Sequence, residues 1–566
     1  MLKVSEIPYK RYTIEEATEA FAAVEAKFQN AACAQDVVDA HAMMMDIMLE
    51  YSQAASLANC RFTLNTKDEF YLAEMGYYDE AGPLFENLMV KFADYMLTTP
   101  YRAEVEEKLG SRIFKKYEIS KKAFDPCIVE DAQLENSIVT EYSTFMSQLV
   151  FEYKGEKMPL SKLRGHLEDT DREDRRLAAI AIGKGLEAVS DTLDDIYDRL
   201  VQVRTKIAHK LGYKNFVELG YYRMGRLDYD ADMVKRFRDN VAQALVPCVK
   251  ATKEKVAAEL GIDQVMFYDN DIYAAGEAPR PIFDTDHTPE LFEAAQEMYN
   301  TMHPEIGEFM QRMRDAEAFD VESRDGKFGG GYCTCFPKNE QPFILANFNG
   351  SSGDVDVITH EFGHALAANF VFKYGSMELD VGGMETAECH SMGMEFFCEK
   401  YMEKFFGENA DKYRRRHLLD AMSFIPYGVI VDEFQHIVYE KPELTPEQRK
   451  EVYRNLEKKY RPYISYEGIP YLEEGTRWQY QMHIYESPFY YIDYCLAQTV
   501  AIGFMLAARE DYDAALAKYL NFSKTGGTKP FEQLIEDAGL ASPFKEGALQ
   551  TMAEKVMDVV AAMPNA

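Results

Sequence analysis

Apolar residues recur at helical spacing along most of this chain, and that periodicity limits the kind of molecule it can become. In "YTIEEATEAFAAVEAKFQN", Ile14, Ala17, Phe21, Val24 and Phe28 follow a 3-4-3-4 rhythm. Thr13 and Glu16 supply a capping box at its start. In "LTPEQRKEVYRNLEKKY", Thr445 is the expected N-cap, Pro446 the first helical residue and Gln448 the box partner. Amphipathic charged stretches of the same kind run from about residue 130 to 265. No fixed-period repeat and no low-complexity linker interrupts the pattern. The expected fold class is therefore mainly α.

One segment breaks the rule. Residues 324 to 352, "RDGKFGGGYCTCFPKNEQPFILANFNGSS", are rich in glycine and aromatics. Two β-like runs, "GGYCTCF" and "FILANF", predict a small sheet or hairpin. Cys333 and Cys335 are either a metal-chelating pair or two small residues on one side of a strand. A second unusual region, 460 to 494, is dense in tyrosine and holds the single tryptophan, Trp478.

With 566 residues, 47% of them hydrophobic and 28% charged, the chain has ample material for a large core. A net charge of −33 argues against nucleic acid and anionic membranes as partners, because both need basic surface. The N-terminal stretch has no apolar run of signal-peptide length, and no run approaches the roughly 18 consecutive apolar residues of a membrane span. The nine cysteines follow no paired pattern and are expected to be reduced thiols. These features predict a cytoplasmic protein. Nothing in the sequence specifies an oligomeric state.

Immediately after the β-like segment comes "GDVDVITHEFGHALAANF", residues 353 to 370, with the HExxH pattern. About 0.02 chance matches are expected in a chain with eleven histidines. On a helical projection Ile358, Phe362, Ala365, Leu366 and Phe370 form one apolar arc. His360 and His364 fall opposite, beside Ala367 and Ala368. Two histidines at i and i+4 can both reach one ion, although a satisfied pair of buried histidines has the same spacing. If the pair binds zinc, Glu361 is placed to act as general base on the attacking water.

Zinc needs a third protein ligand and an open fourth position. Glu388, in "AECHS", lies 24 residues after His364, which leaves room for the chain to turn at Gly382-Gly383 and return in a second helix. Glu395 and Glu399 share nearly the same face as Glu388. They either hydrogen-bond the ligand histidines or form a solvated face. His390 points elsewhere and is expected to be structural. One Zn²⁺ bound by His360, His364 and Glu388 is the expected cofactor, since two histidines, a glutamate and an open site favour zinc over cobalt or manganese.

"HEFGH" followed by "ETAECHS" resembles the M3 metallopeptidases, the family of thimet oligopeptidase, and most of all their oligoendopeptidase F branch. The resemblance extends upstream through "GGYCT" and "PFILANFNGSSGDVDVITHEFGHA", and downstream to "HIYESPFYYIDYCLAQ", about 330 to 500 in all. Angiotensin-converting-type peptidases and M32 carboxypeptidases share HExxH and a late glutamate, but not the tyrosine motif. The resemblance implies a two-lobed helical metallopeptidase with a deep substrate channel and a small β-sheet next to the HExxH helix. The expected division is an N-terminal helical lobe, 1–165, and a catalytic region, 166–566.

Ser487 and Pro488 are expected to cap and open a helix on which Tyr490 and Tyr494 share a face, with Tyr491 beside them. The resemblance implies that His483 and these tyrosines stabilise the oxyanion and bind substrate; aromatic core packing is the alternative for any one tyrosine. His483, Tyr490 and Tyr494 are the catalytic candidates beside Glu361, and Tyr491 is a substrate-binding candidate. Gly330, Gly331 and Tyr332 are expected on an edge strand lining the cleft, where a peptide backbone can add by β-pairing; plain turn chemistry is the alternative for the glycines. The expected activity is zinc-dependent hydrolysis of internal bonds in short oligopeptides. A zinc carboxypeptidase of similar fold and a non-catalytic peptide-binding scaffold are the alternatives.

Overall fold

A computed structural model describes residues 1–563 apart from 274, 275, 277, 284–287, 325, 375, 376 and 380. Helices dominate it. Both expected capping boxes form. Thr13 accepts from the Glu16 amide at 3.1 Å while Glu16 accepts from the Thr13 amide at 2.9 Å, and Thr445 with Gln448 repeats the exchange.

Two hydrophobic cores occur among the described residues. One joins the N-terminal helices, from Ala17 through Phe92 to Tyr117. The other runs through the rest of the chain and contains the apolar arc of the HExxH helix. They meet along the helix Ala34–Leu64, whose end docks on the glycine-rich segment. There the Thr63 carbonyl accepts from the Phe328 amide at 2.8 Å, and the Thr63 hydroxyl bonds that of Tyr332.

Five strands occur among the described residues. β1 (Phe151–Tyr153) and β2 (Glu156–Met158) form a hairpin. β3 (Phe319–Glu322), β4 (Tyr332–Phe336) and β5 (Gln341–Phe348) form a sheet of order β3-β5-β4. The two β-like runs are thus an antiparallel pair, with Cys333 opposite Ile344 and Thr334 opposite Phe343. β4 is an edge strand, as expected. β3 pairs in parallel with β5 and escapes the sequence reading, because four residues are too few to show an alternation.

β5 runs directly into the HExxH helix, Gly353–Val371. Asp354, in the first turn, folds the connection by accepting from the amides of Asn349 (3.0 Å) and Gly350 (2.7 Å). Val355, Ile358, Phe362, Ala365, Leu366 and Phe370 are buried. Phe362 stacks on Tyr299 with ring centroids 4.1 Å apart. Each of the larger of these side chains contributes about 1.5–3 kcal/mol of burial.

Two glycines bring helices together at the site. A Cβ on Gly363 would lie 2.6 Å from the His390 carbonyl oxygen and 2.7 Å from Ser391 Cα, so only glycine lets the HExxH helix reach the helix Met384–Cys398 this closely. A Cβ on Gly428, in the helix Ala410–Glu440, would lie 2.1 Å from Cys495 Sγ in the helix Tyr491–Glu510. That last helix is the one described segment long and apolar enough to cross a membrane, and most of it is buried in the core. Asp493 and Arg509 interrupt its apolar residues, which is why no unbroken run marks it in the sequence.

The expected capping by Ser487 and Pro488 does not occur. Ser487 closes the short helix Met482–Glu486, and the next helix starts at Tyr491 with Tyr490 as N-cap. Between them Phe489 takes φ +68°. Its ring is fully buried against Phe216, Tyr221, His436 and Tyr439, and its amide donates to Gln435 Oε1 at 3.0 Å. Packing of this one phenylalanine outweighs the backbone cost and resets the helix start.

Candidate metal centre

His360 and His364 leave the same face of the HExxH helix, with ring centroids 5.0 Å apart. The close approach at Gly363 brings Glu388 against them. Its Oε2 lies 3.3 Å from His360 Nε2 and 3.5 Å from His364 Nε2. The three ligand atoms all fall within 4.8 Å of one another, and among the described residues this is the one such group of histidine, cysteine or acidic side chains. The imidazoles keep 22% and 21% of their side-chain surface while Glu388 keeps 3%, so the trio opens to solvent on the histidine side. Two imidazole nitrogens and one carboxylate, converging with one side free, fit a divalent metal with an open position.

Two of the three ligands, His360 and Glu388, are held from behind. His360 Nδ1 meets Glu395 Oε1 at 2.6 Å. Glu395 Oε2 meets His417 Nε2 at 2.8 Å, and His417 Nδ1 meets Glu399 Oε1 at 2.9 Å. Glu395 therefore contacts a ligand histidine directly, whereas Glu399 reaches it only through His417. The Ser391 hydroxyl donates to Glu388 Oε2 at 3.0 Å, and the Tyr490 hydroxyl donates to Glu388 Oε1. Such partners orient ligands.

Charge follows the same lines. Burial opposes the charged forms throughout, and hydrogen bonds outweigh it. His360 is held well above the ordinary histidine range by Glu388 and Glu395, and Glu388 well below the carboxylate range by His364 and His360. Glu395 falls to about 2 under His360 and His417. Glu361 is the exception: burial pushes its pKa up despite both histidines. Its Oε2 is buried with no hydrogen-bond partner among the described residues. An unpartnered carboxylate oxygen beside the trio is a proton acceptor with nothing else to accept from.

Opposite stands the tyrosine segment. The His483 ring lies 5.8 Å from those of both Tyr490 and Tyr494, and those two rings lie 4.8 Å apart. The Tyr494 phenol feels the charge of Glu388 and then of Glu361. Tyr491 is buried in the wall, against Phe424 at 5.7 Å and Tyr427 at 5.8 Å. The glycine run lies on the other flank, and only Tyr332 of the three expected residues is in the edge strand, since β4 begins there and Gly330 and Gly331 precede it. Gly331 faces Val357 of the HExxH helix, where a Cβ would sit 3.7 Å from its Cγ1. A Cβ on Gly330 would meet the ring of Phe328 instead, and the Tyr332 hydroxyl is turned to Thr63. Cys333 and Cys335 are raised by burial and belong to no metal-binding group, and Cys333 is also raised by Cys335 and then Glu361. His390 is fully buried between Ser523 Oγ (3.2 Å) and the Val381 carbonyl (3.4 Å), and burial lowers its pKa to about 3.

Gly363, His417, Tyr427 and Gln481 are site residues that the sequence reading does not single out. His417 comes from a separate long helix with no spacing that ties it to Glu395. Gly363 stood inside the motif, between Glu361 and His364.

The profile described as Peptidase family M3 matches residues 166–554, and that of the Peptidase M3 N-terminal domain matches residues 4–124. Oligopeptidase PepF of Bacillus subtilis (strain 168) is 25% identical over 249 residues, 42% of this chain and 36% of that protein. An oligoendopeptidase F homolog of Borreliella burgdorferi is 28% identical over 220 residues, 37% of this chain and 36% of that one. The matched stretch thus spans about a third of each of these curated relatives. A structure of PZ peptidase A with an inhibitor superposes over 100% of both chains with a TM-score of 0.96 and 39% identity. The family profile covers well over half of the sequence and contains every residue of the trio, so this chain belongs to peptidase family M3.

Proposed function

We propose that this protein is a zinc-dependent endopeptidase that hydrolyses internal bonds of short oligopeptides in the cytoplasm. The observation that carries the reading is the convergence of His360, His364 and Glu388 beside the unpartnered carboxylate of Glu361. When bound there, zinc supplies a Lewis acid and lowers the pKa of its water from 15.7 to about 7.

The protein's own residues divide the remaining work. Glu361 Oε2 accepts the proton of the attacking water and returns it to the leaving amine. Burial raises its pKa and makes it a better proton acceptor than an exposed glutamate. His483 and Tyr494 face the developing oxyanion as hydrogen-bond donors. One such donor contributes about 10²–10³ in rate. Tyr490 is engaged by Glu388 and holds that carboxylate so that its other oxygen is free to ligate. The outer edge of β4 (Tyr332–Phe336) pairs with the substrate backbone. A channel between two lobes admits unfolded peptides and excludes folded proteins.

The test is hydrolysis of a peptide library blocked at both ends, with metal content measured on the same sample. Internal cleavage that a chelator abolishes and zinc restores is expected. Cleavage seen only when the same library is offered with free C-termini, and not when it is blocked, would point to a carboxypeptidase. No cleavage by the metal-loaded protein would leave only a binding role.

A further inference from the structure

We propose that Tyr427 and Gln481 are positioning residues that fix the tautomer of His483, so that its Nε2–H is the donor presented to the oxyanion. The inference rests on the peptidase reading above and extends it to residues outside the metal site.

The geometry is a directed chain. Gln481 Nε2 lies 2.9 Å from His483 Nδ1, and the Tyr427 hydroxyl donates to Gln481 Oε1 at 2.6 Å. An amide nitrogen can only donate. Its donation therefore requires Nδ1 to be bare, which leaves the proton of a neutral imidazole on Nε2. Burial lowers the pKa of His483 to about 4, so the ring is neutral at pH 7 and the choice of nitrogen matters.

The amide could satisfy His483 in the opposite sense by turning its oxygen toward Nδ1–H. Tyr427 prevents that turn, because it occupies Oε1 as a donor. The direction of the Tyr427 bond is itself biased. Arg477 lies 4.0 Å from the Tyr427 ring centroid and Arg461 lies 5.4 Å from it. Glu457 lies 3.6 Å from Arg461 and 3.5 Å from Arg477, so one net positive charge remains against the phenol, which favours donating its hydrogen bond over accepting one. The order thus runs from the arginines beside Tyr427 to the tyrosine segment, with Tyr427 donating to Gln481 and Gln481 donating to His483.

The test combines a spectroscopic signature with kinetics on the zinc-loaded full chain. Nitrogen-15 spectra of histidine-labelled protein, assigned by His483→Ala, are expected to show His483 protonated at Nε2 and bare at Nδ1. Gln481→Met, of similar volume, and Tyr427→Phe are expected to lower kcat on the order of 10- to 100-fold with KM within twofold. The double variant Gln481→Met/His483→Ala is expected to be no slower than His483→Ala alone, because the glutamine acts through the histidine. His483 protonated at Nδ1, an unchanged kcat in Gln481→Met, or losses that multiply in the double variant would each overturn the proposal. Metal content and melting temperature identify a variant that merely misfolds. In that event Tyr427→Phe, which removes one oxygen, and the wild-type spectrum decide the question. Wild-type cleavage of end-blocked peptides is the control: its absence would defeat the peptidase reading, whereas the tautomer is read without turnover.

Discussion

Glu388 shows what individual residues must do here. One oxygen faces both histidines while the other is held by Tyr490, so the carboxylate cannot rotate away from the ligand position. Removing that hydroxyl in Tyr490→Phe is expected to weaken metal affinity about 10- to 100-fold. A zinc titration against a competing chelator measures it, and an unchanged affinity would return Tyr490 to the set of oxyanion donors. The histidine pair and Glu361 were legible in the sequence because helix geometry ties them to fixed spacings, and Glu388 because the intervening residues leave room for a turn and a second helix. The choice among the tyrosines was not. It depends on where the helix begins, and Phe489 at φ +68° decides that through its buried ring rather than through any local signal. His417 was invisible for a related reason: its role arises only when a third helix packs against Glu395.

Between elements, close approach is the controlling variable. The HExxH helix and the Glu388 helix touch at Gly363, where a Cβ would collide with backbone that has no room to yield. Gly363→Ala is expected to separate them, to destabilise the fold by about 1–3 kcal/mol, and to lower metal affinity more than Tyr490→Phe does. Urea unfolding and the same zinc titration read the two effects; wild-type affinity in this variant would show that the helix spacing does not set the site. The apolar arc from Ile358 to Phe370 was readable from periodicity. The glycine contact was not, since a glycine inside a helix gives no sign of what crosses it.

Across the molecule, buried ion pairs tie distant helices together in a strongly acidic protein. Glu135 is almost fully buried between Arg204 Nε at 2.6 Å and Arg223 Nη1 at 2.7 Å. Burial opposes its charge, yet Arg223 and Arg204 lower its pKa to about 2. Its folded pKa lies below the unfolded value of about 4.3, so its contribution is complete above that pH and is lost as pH falls toward 2. Glu135→Gln leaves two guanidinium groups without their carboxylate and is expected to cost about 3–5 kcal/mol at pH 7, with a smaller difference from wild type at pH 3. Urea midpoints at the two pH values check it, and an equal difference at both would show that the pair does not titrate as assigned. Helical class and the β4–β5 hairpin were evident from sequence pattern, whereas these long-range pairs, and parallel β3, exist only once the chain is folded. The central claim is that one metal site with Glu361 as its base performs the hydrolysis, and Glu361→Gln tests it most directly. The variant should carry zinc at wild-type stoichiometry and melt at the wild-type temperature, while turnover of an end-blocked peptide falls by about 10²–10⁴. Turnover near the wild-type rate in the zinc-loaded variant would contradict the account.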